Sequence, residues 1–442
     1  MPRIALGLDL GTSAVKATLL DADSGEVLAT SQSPEMLISS PQPGWAEQDP
    51  QMWWDNVGRA VAGLGDVSQV GAVGIAYQMH GLVLLDEAGL PTRPSIIWCD
   101  GRAVESGEAI LHEMGQDYCA EHMLNAPGNF TAAKLRWVRD HESEVYSRAQ
   151  TAFLPGDYIN CRLTGERSTS PSGLSEMTLW SFRDSAPIPF DPRLPQCLPT
   201  FGDRGRTRGG VLGLPDGVPV SYVAGDQPNN AFSLGVLNPG EVAATAGTSG
   251  VVYGVSASAE PGIPVEVGRF LHVNGLIGTL LCLNGAGSAY AWLRRTLFPH
   301  LSFSELNCLA AADSLGLKFA PFGNGPERIH RNQEVGAGWS GLDFRRHGAP
   351  EMVRAVLEGI IAAFVEGCRG MDVRSVRAGR ANLFLSDGFA QMFADALGAE
   401  VRLYSTDGSQ GAARGAAVGA GWVSLNEAHR GLDEVAVFDA QH

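Results

Sequence analysis

The sequence predicts an α/β protein made of a duplicated unit and divided into two domains. Three observations carry that expectation. The run Leu6-Gly7-Leu8-Asp9-Leu10-Gly11-Thr12-Ser13 returns past the middle as Ala243-Ala244-Thr245-Ala246-Gly247-Thr248-Ser249-Gly250, each time as a tight turn between apolar runs. Strand-like and helix-like segments alternate in both halves. The length of 442 residues exceeds the size at which one core keeps growing. The turn signal Asn238-Pro239-Gly240 puts the boundary near it, giving domains over 1–237 and 238–442.

Taken in order, Ile4 to Asp9 and Ala14 to Leu20 read as a hairpin, and Ser24-Gly25 turns the chain into a third strand from Glu26 to Ser31. Asp49-Pro50 introduces helical spacing from Trp53 to Leu64. Gly71 to Ala76 reads as a buried strand ending at Gln78-Met79-His80-Gly81, with further strands at Val83 to Asp86 and Ser95 to Trp98. The stretch 102–167 is largely helical, with an amphipathic helix over Lys134 to His141, and the proline and glycine of 187–217 make it irregular. Val218 to Ala224 is a strand leading into Gly225-Asp226. The second half restarts with the hairpin around Gly247, and small residues from Asn284 lead into a helix reaching Leu297. Pro350 opens the clearest helix, where Val353, Val356, Leu357, Ile360, Ile361, Phe364 and Val365 share one face. Leu383 to Leu385 reads as a strand running into Ser386-Asp387-Gly388, and Val401 to Tyr404 as another. Asp407-Gly408-Ser409-Gln410 then precedes a small-residue helix from Gly411 to Gly421.

Composition narrows the classes of function. Hydrophobic residues at 44% and charged residues at 18% are those of an ordinary folded protein. A formal net charge of −16 argues against non-specific binding to nucleic acid or an anionic membrane, which needs basic surface. The 7 cysteines are scattered, with no C-x-x-C pair, as expected of reduced thiols rather than a disulfide frame or zinc site. The chain enters a strand pattern at once, and no apolar run is long enough to span a bilayer. A soluble cytoplasmic protein is the expectation.

The two turns point to phosphate chemistry. Asp9 ends an apolar strand and is a candidate to hold Mg²⁺ directly or through water. Gly11 admits a close phosphate, and Thr12 and Ser13 supply hydroxyl donors. The same residues also suit an ordinary hairpin turn. Gly247-Thr248-Ser249 gains weight only by repeating the first turn. Asp226 is either a general base for a hydroxyl proton or a cap of the helix after it. His80 is either a contact for a polar substrate, with Met79 beside it, or a packed histidine. The polar run 407–411 is either a nucleotide wrap at a helix N-terminus or a loop. The chain has no G-x-x-x-x-G-K-[ST] loop and no kinase-type glycine-rich loop with its lysine, so its phosphate chemistry has another design.

In combination these segments resemble the FGGY carbohydrate kinases, most of all the xylulokinases. The resemblance runs from the Gly7-to-Ser13 turn through Trp45-Ala46-Glu47-Gln48-Asp49-Pro50, Gln78-Met79-His80-Gly81, Trp98-Cys99-Asp100-Gly101-Arg102, Pro127-Gly128-Asn129-Phe130-Thr131 with Lys134-Leu135, and Leu154-Pro155-Gly156-Asp157-Tyr158. It continues through Gly225-Asp226, Ala246-to-Gly250, Gln391-Met392-Phe393-Ala394-Asp395 and Gly415-Ala416-Ala417. It implies a two-domain actin/hexokinase-like (ribonuclease H-like) fold with an interdomain cleft, binding sugar mainly on the first domain and ATP on the second. The implied reaction is D-xylulose plus ATP to D-xylulose 5-phosphate plus ADP. Asp226 would be the base, Asp9 would serve Mg²⁺, and Gln78, Met79, His80, Trp98 and Gln227 would contact sugar. Gly11, Thr12, Ser13, Gly247, Thr248 and Ser249 would hold phosphates, with Gly287 and Gly388 near the nucleotide. Other ketoses or polyols as acceptors, and a sugar-binding sensor with weak catalysis, are the competing readings. A homodimer follows from family analogy alone. The chain departs from the family at Leu385-to-Gln391, which has one glycine where a run is usual and adds Asp387, and at Gly325-to-His330.

Overall fold

Two mixed sheets carry the fold, and the computed structural model describes residues 3–264, 266–310 and 313–441. The first sheet comprises β1 (Ile4–Leu10), β2 (Val15–Asp21), β3 (Val27–Gln32), β4 (Val70–Tyr77) and β5 (Val220–Gly225). Its order is β5-β4-β1-β2-β3; β1 runs antiparallel to β2 and parallel to β4, which is parallel to β5. Helix α1 (Pro50–Ala62) starts where Asp49 accepts from the Gln51 N–H and Pro50 fills the first turn. It buries Trp53 and Val57 against Leu6, Leu8 and Leu10 of the main first core. Helices α2 (Thr131–His141) and α3 (Pro171–Glu176) lie in the long insertion between β4 and β5. After β5 comes α4 (Asp226–Ser233).

The second sheet comprises β6 (Glu241–Ala246), β7 (Gly250–Ser256), β8 (Gly268–Leu271), β9 (Ile277–Leu283), β10 (Ser375–Gly379), β11 (Glu400–Tyr404) and β12 (Glu434–Phe438). Its order is β8-β9-β7-β6-β10-β11-β12. Without the edges β8 and β12, this is the first sheet's order again: β9-β7-β6-β10-β11 repeats β3-β2-β1-β4-β5. The chain also contains α5 (Ala286–Leu297), α6 (Ala349–Gly367), α7 (Asp387–Leu397) and α8 (Gly408–Gly419). The apolar face expected on α6 is buried around Val353, Val356, Leu357, Ile360 and Phe364.

The helices that follow the last core strand of each unit cross over. Helix α8, after β11, lies on β1, β2, β4 and β5 of the first sheet, while α4, after β5, touches β6 and β7 of the second. A side chain at Gly7 or Gly74 would collide with the carbonyls of Ser409 or Ala412, so small residues let helix and sheet approach. This is what the small-residue run after Asp407 is for.

Leu383 to Leu385 is not a strand. Asn382–Leu385 forms one 3-10 turn, and Asn382 takes a left-handed φ of 56°. The strand of this unit is β10, whose alternation of buried Val376 and Ala378 is too short to stand out. The strands β8, β9, β10 and β12 and the helix α7 were not legible as separate elements. Among the described residues no helix is long and apolar enough to cross a membrane.

Candidate active site

The first Gly-Thr-Ser turn is fixed from three sides. The Gly11 N–H donates to the Ala14 carbonyl at 3.1 Å, closing the turn. The Thr12 carbonyl accepts from Gln48 Nε2 at 2.8 Å, and Thr12 Oγ1 donates to Gln78 Oε1 at 3.3 Å. Trp98 Nε1 donates to Thr12 Oγ1 at 2.9 Å, leaving the indole 51% exposed. Gln48 Oε1 accepts both from Gln78 Nε2 at 2.9 Å and from the buried Trp53 Nε1 at 3.0 Å. Because an indole only donates, this pair sets which way both amides point. Ser13 is exposed beside them.

The two acids end up close enough to affect each other. Asp9 is pushed up to about 6, first by burial and then by Asp407, with Lys16 opposing. Asp226 is pushed up to about 7 by burial and then by Asp9, while the N–H and amide of Gln227 pull it down. Both residues are only partly exposed, and the loss of water around their carboxylates raises them. The cap position of α4 is Gly225, and Asp226 opens the first turn, so the capping reading of Asp226 is corrected by one residue. A Cβ on Gly225 would come within 2.6 Å of both Glu176 Oε2 and Met79 Cγ. Glycine there lets the strand end pass close to Met79 and Glu176.

Met79 is buried, and His80 takes a left-handed φ of 61°. Lys134 on α2 is fully buried and donates to the His80 carbonyl at 2.7 Å. His80 Nδ1 lies 2.9 Å from the Glu176 carbonyl, which can only accept, so Nδ1 carries the hydrogen and Nε2 offers a lone pair. Burial, then Lys134, lowers His80 to about 3 and keeps it neutral. Burial also lowers Lys134 to about 7, against the pull of Asp100.

The second turn is bound to the start of α5. The Gly287 N–H donates to the Gly247 carbonyl at 2.8 Å and the Ser288 N–H to the Thr248 carbonyl at 3.1 Å. A side chain at Gly287 would collide with the Gly247 carbonyl. Thr248 and Ser249 remain exposed. Gly388 occupies a third place, the first turn of α7, where Ser386 caps the Phe389 N–H at 3.3 Å. Arg380 pairs with Asp387 at 2.7 Å, offsetting the extra negative charge of that segment.

The structure thus brings Asp9, Thr12, Gln78, Met79, His80, Trp98, Asp226 and Gln227 to one region and Gly247, Thr248 and Gly287 to another contact. Sequence reasoning missed Glu176, a buried carboxylate in a serine-rich stretch that carries no motif of its own. It gave no role to Lys134, whose burial is invisible in a helix pattern. It left Asp407 within a polar run; Asp407 caps α8 by accepting from the Gln410 N–H at 3.1 Å and influences Asp9. Among the described residues no group of three or more His, Cys, Asp and Glu forms a metal cage. One or two carboxylates beside a phosphate site suit Mg²⁺, which keeps waters and borrows phosphate oxygens.

Residues 4–233 match the model of the FGGY family of carbohydrate kinases, N-terminal domain. The chain is 32% identical to the xylulose kinase of Escherichia coli (strain K12), over 93% of this chain and 88% of that protein. The crystal structure of xylulose kinase from Rhodospirillum rubrum superposes with a TM-score of 0.88 at 26% identity, covering 99% of this chain and 94% of that one. The crystal structure of gluconate kinase from Lactobacillus acidophilus reaches a TM-score of 0.87 at 21% identity, covering 100% and 94%, so the fold by itself does not choose the acceptor. The duplicated sheets are those of the two-domain actin/hexokinase-like fold, and the chain belongs to the FGGY family of carbohydrate kinases.

Proposed function

We propose that this chain is an ATP-dependent xylulose kinase that transfers a phosphoryl group to the terminal hydroxyl of D-xylulose, giving D-xylulose 5-phosphate and ADP. The single observation that carries the site assignment is Asp226, raised to about 7 at the start of α4 beside the sugar motif. A carboxylate poised near neutrality accepts a hydroxyl proton late in transfer, which suits a loose phosphoryl transition state. Gln78, Met79, His80, Trp98 and Gln227 hold the sugar. The turns Gly11-Thr12-Ser13 and Gly247-Thr248-Ser249 present donors to phosphate oxygens, and Gly287 and Gly388 flank the nucleotide. Asp9 would hold Mg²⁺, directly or through water, and the bound ion would neutralise phosphate charge. The division into domains over 1–237 and 238–442, a cytoplasmic location and a homodimer belong to the same proposal.

The reading is supported by the family match and by relatives named as xylulose kinases along most of the chain. An ADP-release assay over a panel of ketoses and polyols tests it. The expected result is fastest turnover on D-xylulose. Faster turnover on another sugar would move the acceptor, and sugar binding without turnover on any would return the sensor reading.

A further inference from the structure

The sugar motif is gripped from the second half of the chain as well as the first. His80 packs against Phe130 with ring centroids 4.5 Å apart and against Phe270 at 5.2 Å. Phe130 and Phe270 meet edge to face at 5.6 Å, completing a three-ring cluster. Phe130 sits just before α2, but Phe270 belongs to β8, the edge strand of the second sheet.

That edge is clasped by side chains of the first half. The Arg269 N–H donates to Asn125 Oδ1 at 3.0 Å, and Asn125 Nδ2 donates back to the Arg269 carbonyl. The Leu271 N–H donates to Ser175 Oγ at 2.9 Å, and Ser172 Oγ donates to the Leu271 carbonyl at 3.1 Å. The backbone groups of both residues, which would otherwise be an open sheet edge, are satisfied across the two halves. Asn125, Ser172 and Ser175 are all buried. Ser175 adjoins Glu176, whose carbonyl holds His80 Nδ1 and whose carboxylate lies under Gly225, next to Asp226. Helix α3 therefore connects the second sheet to the sugar motif and to the strand end that carries the base.

We propose that Phe270 is a positioning residue for the sugar acceptor: clasped through Asn125, Ser172 and Ser175, it holds the His80 ring so that Nε2 accepts a hydrogen bond from a sugar hydroxyl. This rests on His80 contacting sugar in the function proposed above. Phe270 acts through His80 and makes sugar binding depend on the closed contact between the two halves.

The test is steady-state kinetics of Phe270→Ala and Phe270→Leu, with thermal melts and calorimetric sugar binding without ATP. The sugar KM is expected to rise about tenfold in Phe270→Ala, with ATP KM and kcat moving by less than about threefold. Leucine keeps bulk without a flat ring and is expected to fall between. Asn125→Ala, which loosens the clasp while keeping the ring, is expected to move sugar KM in the same direction. Sugar KM and calorimetric affinity unchanged in Phe270→Leu, or sugar and ATP KM rising together, would overturn the proposal. If Phe270→Ala does not fold, Phe270→Leu and Asn125→Ala decide on the same criteria. A wild-type protein that binds sugar but turns none over would sink the kinase reading alone, because calorimetry still reads the Phe270 effect.

Discussion

Asp226 shows how one carboxylate takes its character from its surroundings. Burial and the neighbouring Asp9 push it to about 7, so it is deprotonated only above that pH. In its proposed role as the base, it would make kcat/KM rise with pH and then level off. A pH profile should show an acid limb centred near 7, with about a tenfold loss per unit below it; a flat profile from pH 5 to 8 removes the base role. Asp226→Asn is expected to lower kcat by about 10²-fold or more. The same substitution should stabilise the fold, and the sign follows from linkage. The folded value of about 7 lies above the ordinary 3.8, so the native state favours the protonated form. That stabilisation is complete below 3.8 and is lost as pH rises through about 7. Neutral asparagine loses nothing, so the variant should melt above the parent at pH 8, with the gap closing towards pH 4. Equal melting temperatures at both would contradict the burial of this carboxylate. At this scale the sequence named Asp226 and Asp9 but not Glu176, because an isolated acid among serines looks like surface until the fold buries it.

The second turn gains its shape from contact with α5 rather than from its own residues. Gly287 lies so close to the Gly247 carbonyl that any side chain must push the turn away. Gly287→Ala is expected to raise the ATP KM about tenfold while leaving sugar KM within about twofold. A normal ATP KM in a folded variant would take Gly287 out of the nucleotide site. Gly388 is the contrast: a Cβ there meets nothing nearer than Ser386 Oγ at 3.8 Å, so no steric demand fixes its identity. The hairpins, α1 and α6 were legible because turn chemistry and 3–4 spacing are local signals. Asn382–Leu385 misled because three apolar residues fit a strand or a turn equally, and only the left-handed Asn382 and the neighbouring β10 decide.

The crossed helices make the two halves depend on each other. Helix α8 covers the first sheet with Ala413, Ala416 and Ala417 packed against Ala5, Leu20 and Ala72. The Arg414 guanidinium is buried beneath it and donates to the Ala428 carbonyl at 2.6 Å. A fragment over 1–237 lacks this cover and would expose an apolar sheet face. Expressed alone, it is expected to be insoluble or to lack a cooperative melt, and co-expression with 238–442 should restore a folded complex. A soluble, cooperatively melting fragment would show that the first unit carries its own core.

Sequence by itself determined the duplicated unit, the paired Gly-Thr-Ser turns and the acids Asp9 and Asp226, because each is written in residues adjacent in the chain. The tertiary structure alone decided which side chains lie under the site. Lys134, Glu176 and Phe270 stand 54, 96 and 190 positions from His80, on two helices and on a strand of the second sheet, yet they fix its ring and backbone. Local pattern cannot report such contacts, because long-range packing brings together residues whose spacing in sequence follows no period.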